Sequence, residues 1–393
     1  MPQESTPSGS ELVGRAAELR ELIRSKVAWS QDNRRLHGDV VAAMSDAGVF
    51  AMRTPARYGG HESDARTVMD VLATLAEADG STAWNAAVWS VGNWIASLFP
   101  DGVQDQVFER RGARVCAVLS PTASATPNEG GLVVNGRWPF TSGAGHSHWQ
   151  CVMAMAPAPD GTPWPVMALV PMDQLGVVDD WHSAGLSATG SVTTVATDLF
   201  VPEERVLPLP EVLAGRYASR RNADSPVFSA PLVPTGCATF SGVAVGLATA
   251  ARDTFLERLP DRKITYTDYA GQSDAPVTHL QVAEATVLLE ETRFHARRVA
   301  GLVDRKGATG EVWKLEDRVL ARVTLGRTFD LAKRSVAVLA EASGGSSLHR
   351  SVLIGRVHRD VQALNLHALM HPSTNYELYG RVLCGLEPNT SYL

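Results

Sequence analysis

The stretch NGRWPFTSGAGHSHW, residues 135–149, carries the most informative local pattern in the chain. It lies between two short apolar runs, residues 130–134 and 150–156, that are rich in β-prone side chains and joined by turn residues. Bulky rings give way to hydroxyls and then to a Gly-Ala-Gly segment, in the order Trp138, Phe140, Thr141, Ser142 and residues 143–145. This order predicts part of a sheet where small residues let a flat, polar-edged ligand approach the backbone. A β-hairpin whose rings only fill a core explains the stretch about equally well.

The whole chain has the composition of an ordinary globular protein. Its 393 residues exceed one typical domain, 45% are hydrophobic and 20% are charged. A formal net charge of −6 disfavours nucleic acid and anionic membranes as partners, since both need concentrated Lys and Arg. Four cysteines without a Cys-x-x-Cys pair indicate thiols in a reducing compartment. The first residues lack a signal-peptide pattern, and no apolar run approaches the roughly 20 residues of a membrane span, so we expect a cytoplasmic protein.

Hydrophobic periodicity divides the chain into helices, then strands, then helices again. The predicted helices cover residues 11–29, 39–47, 65–78, 80–99, 237–259, 278–303, 311–342 and 348–370. The predicted strands cover residues 115–119, 132–134, 151–156, 166–170, 192–195 and 199–201. We therefore expect a mainly α fold with a central β domain. The predicted domains are residues 1–113, 114–224 and 225–393, the last a four-helix bundle.

The helix predicted at residues 80–99 mixes indoles with amides on a background of small residues. These side chains are Trp84, Asn85, Trp89, Asn93 and Trp94. A buried amide needs hydrogen-bond partners, so core helices rarely keep two Asn. Asn93 either lines a pocket or faces solvent, and we take it as a candidate substrate contact. The Trp residues suggest an aromatic substrate, although core packing explains them about as well.

Five short motifs, in this order, resemble the acyl-CoA dehydrogenase fold over essentially the whole chain. They are the turn at residues 53–60, Asn-Gly at 135–136, Val-Pro-Glu at 201–203, Gly-Gly at 344–345 and Arg-Asp at 359–360. In that family a Glu near the position of Ala368 removes the α-proton of a thioester, which an alanine cannot do. Glu290 or Glu291 on another helix is an alternative base, but an ion-paired surface position explains both residues more simply.

The residues around the missing Glu resemble the group D, two-component flavin monooxygenases. The resemblance rests on Arg-Asp at 359–360 followed by His367, and on residues 80–84, 138–143 and 189–191. That branch includes hydroxylases of p-hydroxyphenylacetate and indole-hydroxylating tailoring enzymes. It implies FADH2 or FMNH2 supplied by a separate reductase, O2, and hydroxylation of a small aromatic or natural-product substrate through a C4a-hydroperoxyflavin. It also implies a homotetramer.

The resemblance further implies the site residues. Phe140, Thr141 and Ser142 would contact the isoalloxazine ring, with Ser142 near its reactive edge, and Thr189, Gly190 and Ser191 would line the same ring. Phosphate or ribityl groups would be held across a subunit boundary by Arg262, Gly344, Gly345 and Ser346. His367 would point into the pocket as a donor or proton shuttle. The predicted catalytic residues are His367, Ser142 and Asn93. Several relatives carry a substrate-side His near Gly92 or Asn93, and this chain has none there.

Other functions stay open at this point. An acyl-CoA dehydrogenase-type flavoenzyme, an amino-sugar N-oxygenase and a non-catalytic binding or assembly protein are all compatible with the predicted fold. His146 with His148, or His367 with His371, lacks an acidic third ligand at a recognised spacing, so no metal site is predicted. A serine hydrolase is disfavoured because no Gly-x-Ser-x-Gly elbow is present.

Overall fold

The computed structural model describes residues 7–393, and its N-terminal part is helical. Its helices are α1 (Gly9–Glu18), α2 (Arg20–Asp32), α3 (Gly38–Asp46), α4 (Ala65–Ala76), α5 (Gly80–Ala96) and α6 (Asp101–Phe108). The helix predicted at residues 11–29 is two helices, because the chain turns at Leu19, whose N–H bonds to the carbonyl only three residues back. The sequence does not predict α6, since eight residues give too short a window for periodicity.

Helix α5 is buried along its whole length and begins at the predicted cap. The carboxylate of Asp79 accepts hydrogen bonds from both the backbone N–H and the hydroxyl of Thr82, each at 2.8 Å. A capping carboxylate satisfies N–H groups that have no partner inside the helix. The cap therefore fixes the first turn of α5, the turn that precedes Trp84.

Eight strands form one mixed sheet in the middle of the chain. They are β1 (Val115–Ala117), β2 (Ala123–Asn128), β3 (Gly131–Thr141), β4 (Trp149–Pro157), β5 (Pro163–Pro171), β6 (Gly176–Val178), β7 (Val192–Pro202) and β8 (Val206–Pro208). The strand order is β6-β7-β3-β2-β4-β5-β8, and β1 pairs in parallel with β4. The two strands predicted at residues 192–195 and 199–201 are the single strand β7. The sequence does not predict β2 and β6, which are mostly exposed, or β8, which has only three residues.

Strand β3 has a bulge at its C-terminal end, inside the motif with which the sequence analysis began. Between the paired positions Trp138 and Thr141, two residues of β3 oppose a single residue of β7. Pro139 has no N–H to give to the ladder, and Phe140 adopts a left-handed φ of 63°. Trp138 is fully buried in the sheet core, whereas Phe140 is 69% exposed. Of the two rings, only that of Phe140 is available to a ligand.

The C-terminal part is helical and is built around one long helix. Its helices are α7 (Leu209–Leu213), α8 (Leu232–Arg258), α9 (Pro276–Thr309), α10 (Leu315–Ala342), α11 (Leu353–Asn365) and α12 (Pro372–Leu383). A Cβ added at Gly242 or Gly246 of α8 would lie 2.2 or 2.1 Å from a backbone oxygen of α4. The small residues of α8 thus allow close packing against α4 within the chain.

The helix predicted at residues 348–370 is shorter in the structure, and a second helix that the sequence does not predict follows it. Helix α11 ends at Asn365, α12 begins at Pro372, and residues 366–371 form a turn. Proline suits the first turn of a helix, because its missing N–H needs no partner there. His367 accordingly lies in a turn between two helices.

Helix α8 is also long and apolar enough, by composition, to cross a membrane, contrary to the expectation from the sequence. The apolar window is completely buried within the described chain. A buried core helix of a globular protein has the same composition, so this finding is weak evidence for a membrane span. The three-domain division at residues 113/114 and 224/225 stays a prediction.

Candidate functional site

Three predicted hydroxyl residues lie together in one hydrogen-bonded chain. The Ser142 Oγ lies 2.7 Å from the Ser191 Oγ, which lies 2.6 Å from the Thr189 Oγ1. The Thr189 hydroxyl donates to the carbonyl of Leu186 at 2.9 Å, and the indole N–H of Trp84 donates to Ser142 at 2.9 Å. The end of β3, the start of β7 and the loop between β6 and β7 thus meet the first turns of α5 here.

Two aromatic rings connect this hydroxyl chain to His367. Trp84 stacks on Phe240 of helix α8, with ring centroids 5.0 Å apart and 29° between the planes. The imidazole of His367 contacts Trp84 edge-on, with centroids 5.4 Å apart. Ser142 and His367, predicted from opposite ends of the chain, therefore lie on either side of one indole. The sequence does not predict Phe240, because nothing in its small-residue surroundings marks it.

His367 is a neutral hydrogen-bond donor in this position. Its imidazole is reached by solvent, yet protein surrounds it closely enough that desolvation lowers its pKa to about 4. The backbone N–H of Leu369 donates to its Nδ1 at 3.2 Å. In a neutral imidazole, an accepting Nδ1 places the proton on Nε2. His367 can therefore offer its Nε2–H to a ligand at neutral pH.

A buried carboxylate anchors the loop that ends the hydroxyl chain. Asp360, 3% exposed, accepts a hydrogen bond at 2.6 Å from the backbone N–H of Leu186, while its second oxygen has no partner among the described residues. Desolvation first, and then the charge of Asp79, raises the pKa of Asp360 to about 7. Leu186 itself has a left-handed φ of 54°. The Arg-Asp motif thus joins the turn of residues 186–191 to helix α11.

Two glycines and one exposed ring lie beside the hydroxyl chain. Gly143 and Gly190 both have positive φ, and a Cβ on Gly143 would lie 2.8 Å from the indole of Trp89. Phe140 is exposed and touches Trp181 edge-on, with centroids 6.1 Å apart. By contrast, the Thr141 hydroxyl is fully buried and donates to the carbonyl of Trp138 at 2.9 Å. The whole residue is therefore buried within the sheet, where it is not open to the predicted ring contact.

Asn93 does not have the predicted substrate-binding role. It is fully buried, and its amide N–H groups donate to the backbone carbonyls of Phe50 and Ala113, each at 2.9 Å. Its carbonyl accepts from the backbone N–H of Val115 at 3.1 Å. Both ends of the amide are used to join α5 to strand β1. The amide that reaches the site is Asn85, which donates to the carbonyl of Thr189 at 3.2 Å and whose Oδ1 is buried without a partner among the described residues.

The predicted phosphate-binding residues form a second cluster. The Arg262 guanidinium donates to the carbonyl of Ser343 at 2.9 Å, directly before the turn of Gly344, Gly345 and Ser346. Gly344 has a positive φ of 64° and precedes a short 3₁₀ turn, Gly345–Leu348. The structure thus brings Arg262 to this turn as predicted. No hydrogen bond among residues 7–393 joins this cluster to the hydroxyl chain of the same chain.

The competing sites have structural explanations. Glu290 pairs with Arg293 at 2.6 Å and Glu291 with Arg327 at 3.6 Å, so neither is a free base. His146 bonds through Nε2 to the carbonyl of Leu36, and His148 accepts from the backbone N–H of Arg114. Backbone groups thus engage both imidazoles of the possible metal pair.

Comparison with known proteins identifies the family of the chain. The family model for the acyl-CoA dehydrogenase N-terminal domain matches residues 15–106, and that for the C-terminal domain matches residues 238–372. The FADH(2)-dependent resorcinol hydroxylase oxygenase component of Rhizobium sp. (strain MTP-10005) is 30% identical over 97% of this chain and 96% of its own. The flavin-dependent monooxygenase oxygenase subunit HsaA of Mycobacterium tuberculosis (strain ATCC 25618 / H37Rv) is 30% identical over 93% of each chain. The structure of XiaF from Streptomyces sp. in complex with FADH2 and glycerol matches with a TM-score of 0.90 at 28% identity, over 97% of both chains.

Proposed function

The chain belongs to the acyl-CoA dehydrogenase superfamily and, within it, to the oxygenase components of group D two-component flavin-dependent monooxygenases. From this premise we propose that it uses FADH2 or FMNH2 and O2 to hydroxylate a small aromatic substrate of the phenol or indole type. A separate reductase supplies the reduced flavin. The observation that carries the proposal is the placement of the Ser142 hydroxyl chain and the neutral His367 on either side of Trp84.

The residues around Ser142 fit a flavin ring. The buried Asn85 Oδ1 has no protein partner in the described part of the chain, and the exposed Phe140 offers a ring face in a strained backbone conformation. At Gly143 and Gly190, the missing side chains let the indole of Trp89 and the carbonyl of Arg34 lie close to the backbone beside this site. Phe140, Ser142 and the turn of residues 189–191 would hold the ring. A bound reduced flavin supplies the two electrons that activate O2.

The remaining side chains have separate tasks. His367 would donate its Nε2–H to an oxygen atom of the substrate or of dioxygen, and its low pKa keeps it neutral at the pH of the cell. The rings of Trp84 and Phe240 exclude water and present aromatic faces to a flat substrate. A thioester α-proton has no carboxylate base in this pocket, because position 368 is Ala and Glu290 is ion-paired.

The active enzyme in this proposal is a homotetramer. Arg262 and the turn of residues 344–346 would hold the phosphate or ribityl groups of a flavin whose ring lies against Ser142 of another subunit. Leu256, Tyr266 and Leu348, which are near Arg262 or the 344–346 turn in the sequence, are large apolar side chains exposed on the single chain. A subunit contact would remove these side chains from water. All four cysteines of the chain are free, in agreement with a reducing, cytoplasmic location.

Isotope incorporation tests the function directly. The purified protein would be mixed with FAD or FMN, NADH, a flavin reductase and ¹⁸O₂, and offered resorcinol, other phenols, indole and an amine. We expect one ¹⁸O atom in an aromatic product, detected by mass spectrometry. Oxidation of an acyl-CoA without oxygen incorporation would instead identify a dehydrogenase, and labelled hydroxylamine would identify an N-oxygenase.

A further inference from the structure

The hydroxyls of Ser142, Ser191 and Thr189 donate their protons in one direction along the chain of hydrogen bonds. That direction determines whether Ser142 can offer a ligand a proton or only a lone pair. We propose that Thr189 and Ser191 act through Ser142 as specificity-determining residues that select reduced over oxidised flavin. The inference rests on the proposed function, because it requires the flavin ring edge to meet Ser142.

The direction is fixed at one end by a carbonyl. The Leu186 carbonyl can only accept, and it takes the hydroxyl proton of Thr189 at 2.9 Å. A hydroxyl has one proton, so at its 2.6 Å contact the Thr189 oxygen must accept from Ser191. The Ser191 oxygen must in turn accept from Ser142 at 2.7 Å.

The direction is fixed at the other end by an indole. The Trp84 N–H can only donate, and it donates to the Ser142 oxygen at 2.9 Å. Ser142 therefore gives its proton to Ser191 and receives one from Trp84. What remains on Ser142 is a lone pair and no proton. Water does not compete, because Trp84, Ser142, Thr189 and Ser191 are all less than 9% exposed.

The carbonyl of Leu186, which accepts the last hydrogen bond of the chain, is fixed in its orientation. The N–H of Leu186 is held by the Asp360 carboxylate at 2.6 Å, and its carbonyl also accepts from the indole N–H of Trp181 at 3.2 Å. Its left-handed φ of 54° belongs to a narrow conformational region. The whole chain of hydrogen bonds is thus tied to helix α11 through Asp360.

Flavin changes its hydrogen-bonding character at the same point where it changes redox state. The reduced isoalloxazine carries an N–H at N5, whereas the oxidised ring has only a lone pair there. An accepting Ser142 bonds to the first and opposes the second. Reduced flavin would gain one hydrogen bond to Ser142, whereas N5 of oxidised flavin would be left unpaired. This difference corresponds to a preference for the reduced form on the order of tenfold or more.

The test changes the direction without touching Ser142. Dissociation constants would be measured anaerobically for FAD and for dithionite-reduced FAD, by flavin fluorescence and ultrafiltration. Ser191→Ala removes the acceptor of the Ser142 proton, so Ser142 can donate to oxidised flavin. We expect the ratio of the two dissociation constants to fall about tenfold, mostly through tighter binding of oxidised FAD. Thr189→Ser keeps the proton direction and should keep the ratio.

A neighbouring hydroxyl provides the matched control. Thr194 is fully buried on β7, and its hydroxyl contacts Thr141 at 3.2 Å, outside the chain that ends at Ser142. Thr194→Val should leave the ratio of dissociation constants unchanged. If Ser191→Ala does not fold, Thr189→Val can replace it, with the same expected result. Without the Thr189 hydroxyl, Ser191 has no acceptor at that side and can donate to Ser142, which frees the Ser142 proton for a ligand.

The outcomes separate the inference from the proposed function. A Ser191→Ala protein that binds both forms of FAD with the wild-type ratio, from a wild type that hydroxylates, overturns the inference alone. An equal change in Thr194→Val also overturns it. A wild-type protein that binds neither form of FAD nor of FMN overturns the proposed function itself.

Discussion

At the scale of single residues, His367 is the side chain whose removal should affect chemistry most and folding least. Loss of a positioned donor typically costs about 10²- to 10⁴-fold in rate. We expect His367→Ala to lower the yield of hydroxylated product at least about tenfold and to divert electrons from NADH to hydrogen peroxide. The ratio of product to peroxide in the coupled assay with reductase measures this effect.

His358 of helix α11 is a suitable control for that experiment, because among residues 7–393 its half-buried imidazole forms a hydrogen bond only with Gln362, at 3.3 Å. His358→Ala should keep the wild-type ratio of product to peroxide. A folded His367→Ala protein with that same ratio would show that His367 only bonds the turn at Leu369. A loss of thermal stability without a change of ratio would lead to the same conclusion.

The two asparagines of helix α5 show what the sequence can and cannot predict about single residues. The pattern of Trp and Asn predicts that α5 contributes to a polar site, and in the structure Trp84 of α5 donates to the Ser142 hydroxyl. The pattern does not tell which of the two amides faces the site, because Asn85 and Asn93 are both buried. Which carbonyls surround each amide depends on strands and loops that are distant in sequence.

At the scale of structural elements, the bulge in β3 holds Phe140 in a conformation that favours glycine. Phe140→Gly would relieve a strain of about 1–2 kcal/mol, while losing one edge contact to Trp181 of about 1 kcal/mol. We expect the free energy of unfolding to change by less than about 1 kcal/mol and the affinity for reduced FAD to fall several-fold. Urea denaturation and anaerobic titration measure the two quantities separately. A large loss of stability would show that the ring supports the fold and does not serve a ligand.

Asp360 connects helix α11 to the turn of residues 186–191, and its contribution to the stability of the fold should depend on pH. A carboxyl whose pKa is raised on folding, here from 3.8 to about 7, binds its proton more tightly in the folded state. Its contribution to stability is present at low pH and is lost as the pH rises from about 4 to 7. Asp360→Asn keeps an oxygen for Leu186 and removes the titration. The melting temperature of the variant, relative to wild type, should therefore rise between pH 5 and pH 8.

His367 does not confuse this comparison, although its lowered pKa makes stability rise with pH between about 4 and 6.5. Both proteins retain His367, so its contribution cancels in the difference. Asp268→Asn, at an exposed loop position, is the control and should show no trend with pH. A constant difference between Asp360→Asn and wild type would show that Asp360 is charged throughout that range.

The sequence predicts long elements well and their joints poorly. Helices α8, α9 and α10 were predicted because each has many turns of apolar periodicity. The sequence places the end of α11 at Pro372, but the helix stops earlier, at Asn365, and helix α12 was not predicted. His367 was nevertheless predicted, because the Arg-Asp motif lies on α11 and identifies the region through resemblance alone.

At the scale of the whole molecule, helix α9 presents an apolar stripe that its own chain does not cover. Leu280, Val287 and Phe294 follow one another at seven-residue spacing and are 72%, 58% and 63% exposed. Seven residues are almost two helical turns, so the three side chains lie on one face. Exposed stripes of this kind mark protein contacts, which agrees with the proposed homotetramer. We expect sedimentation to give about four times the chain mass of 42.1 kDa.

A single charge in the middle of the stripe should separate the subunits. Val287→Asp would place an unpaired carboxylate in the contact, at a cost of several kcal/mol for each copy, and should reduce the sedimenting mass at micromolar concentration. Val177 of edge strand β6 is 57% exposed, almost the same as Val287, and lies away from α9. Val177→Asp should therefore keep the wild-type mass. Arg262 is proposed to bind a flavin whose ring lies in another subunit, so the Val287→Asp protein should also lose affinity for reduced FAD. A Val287→Asp protein that remains a tetramer would show that the subunits meet elsewhere on the surface.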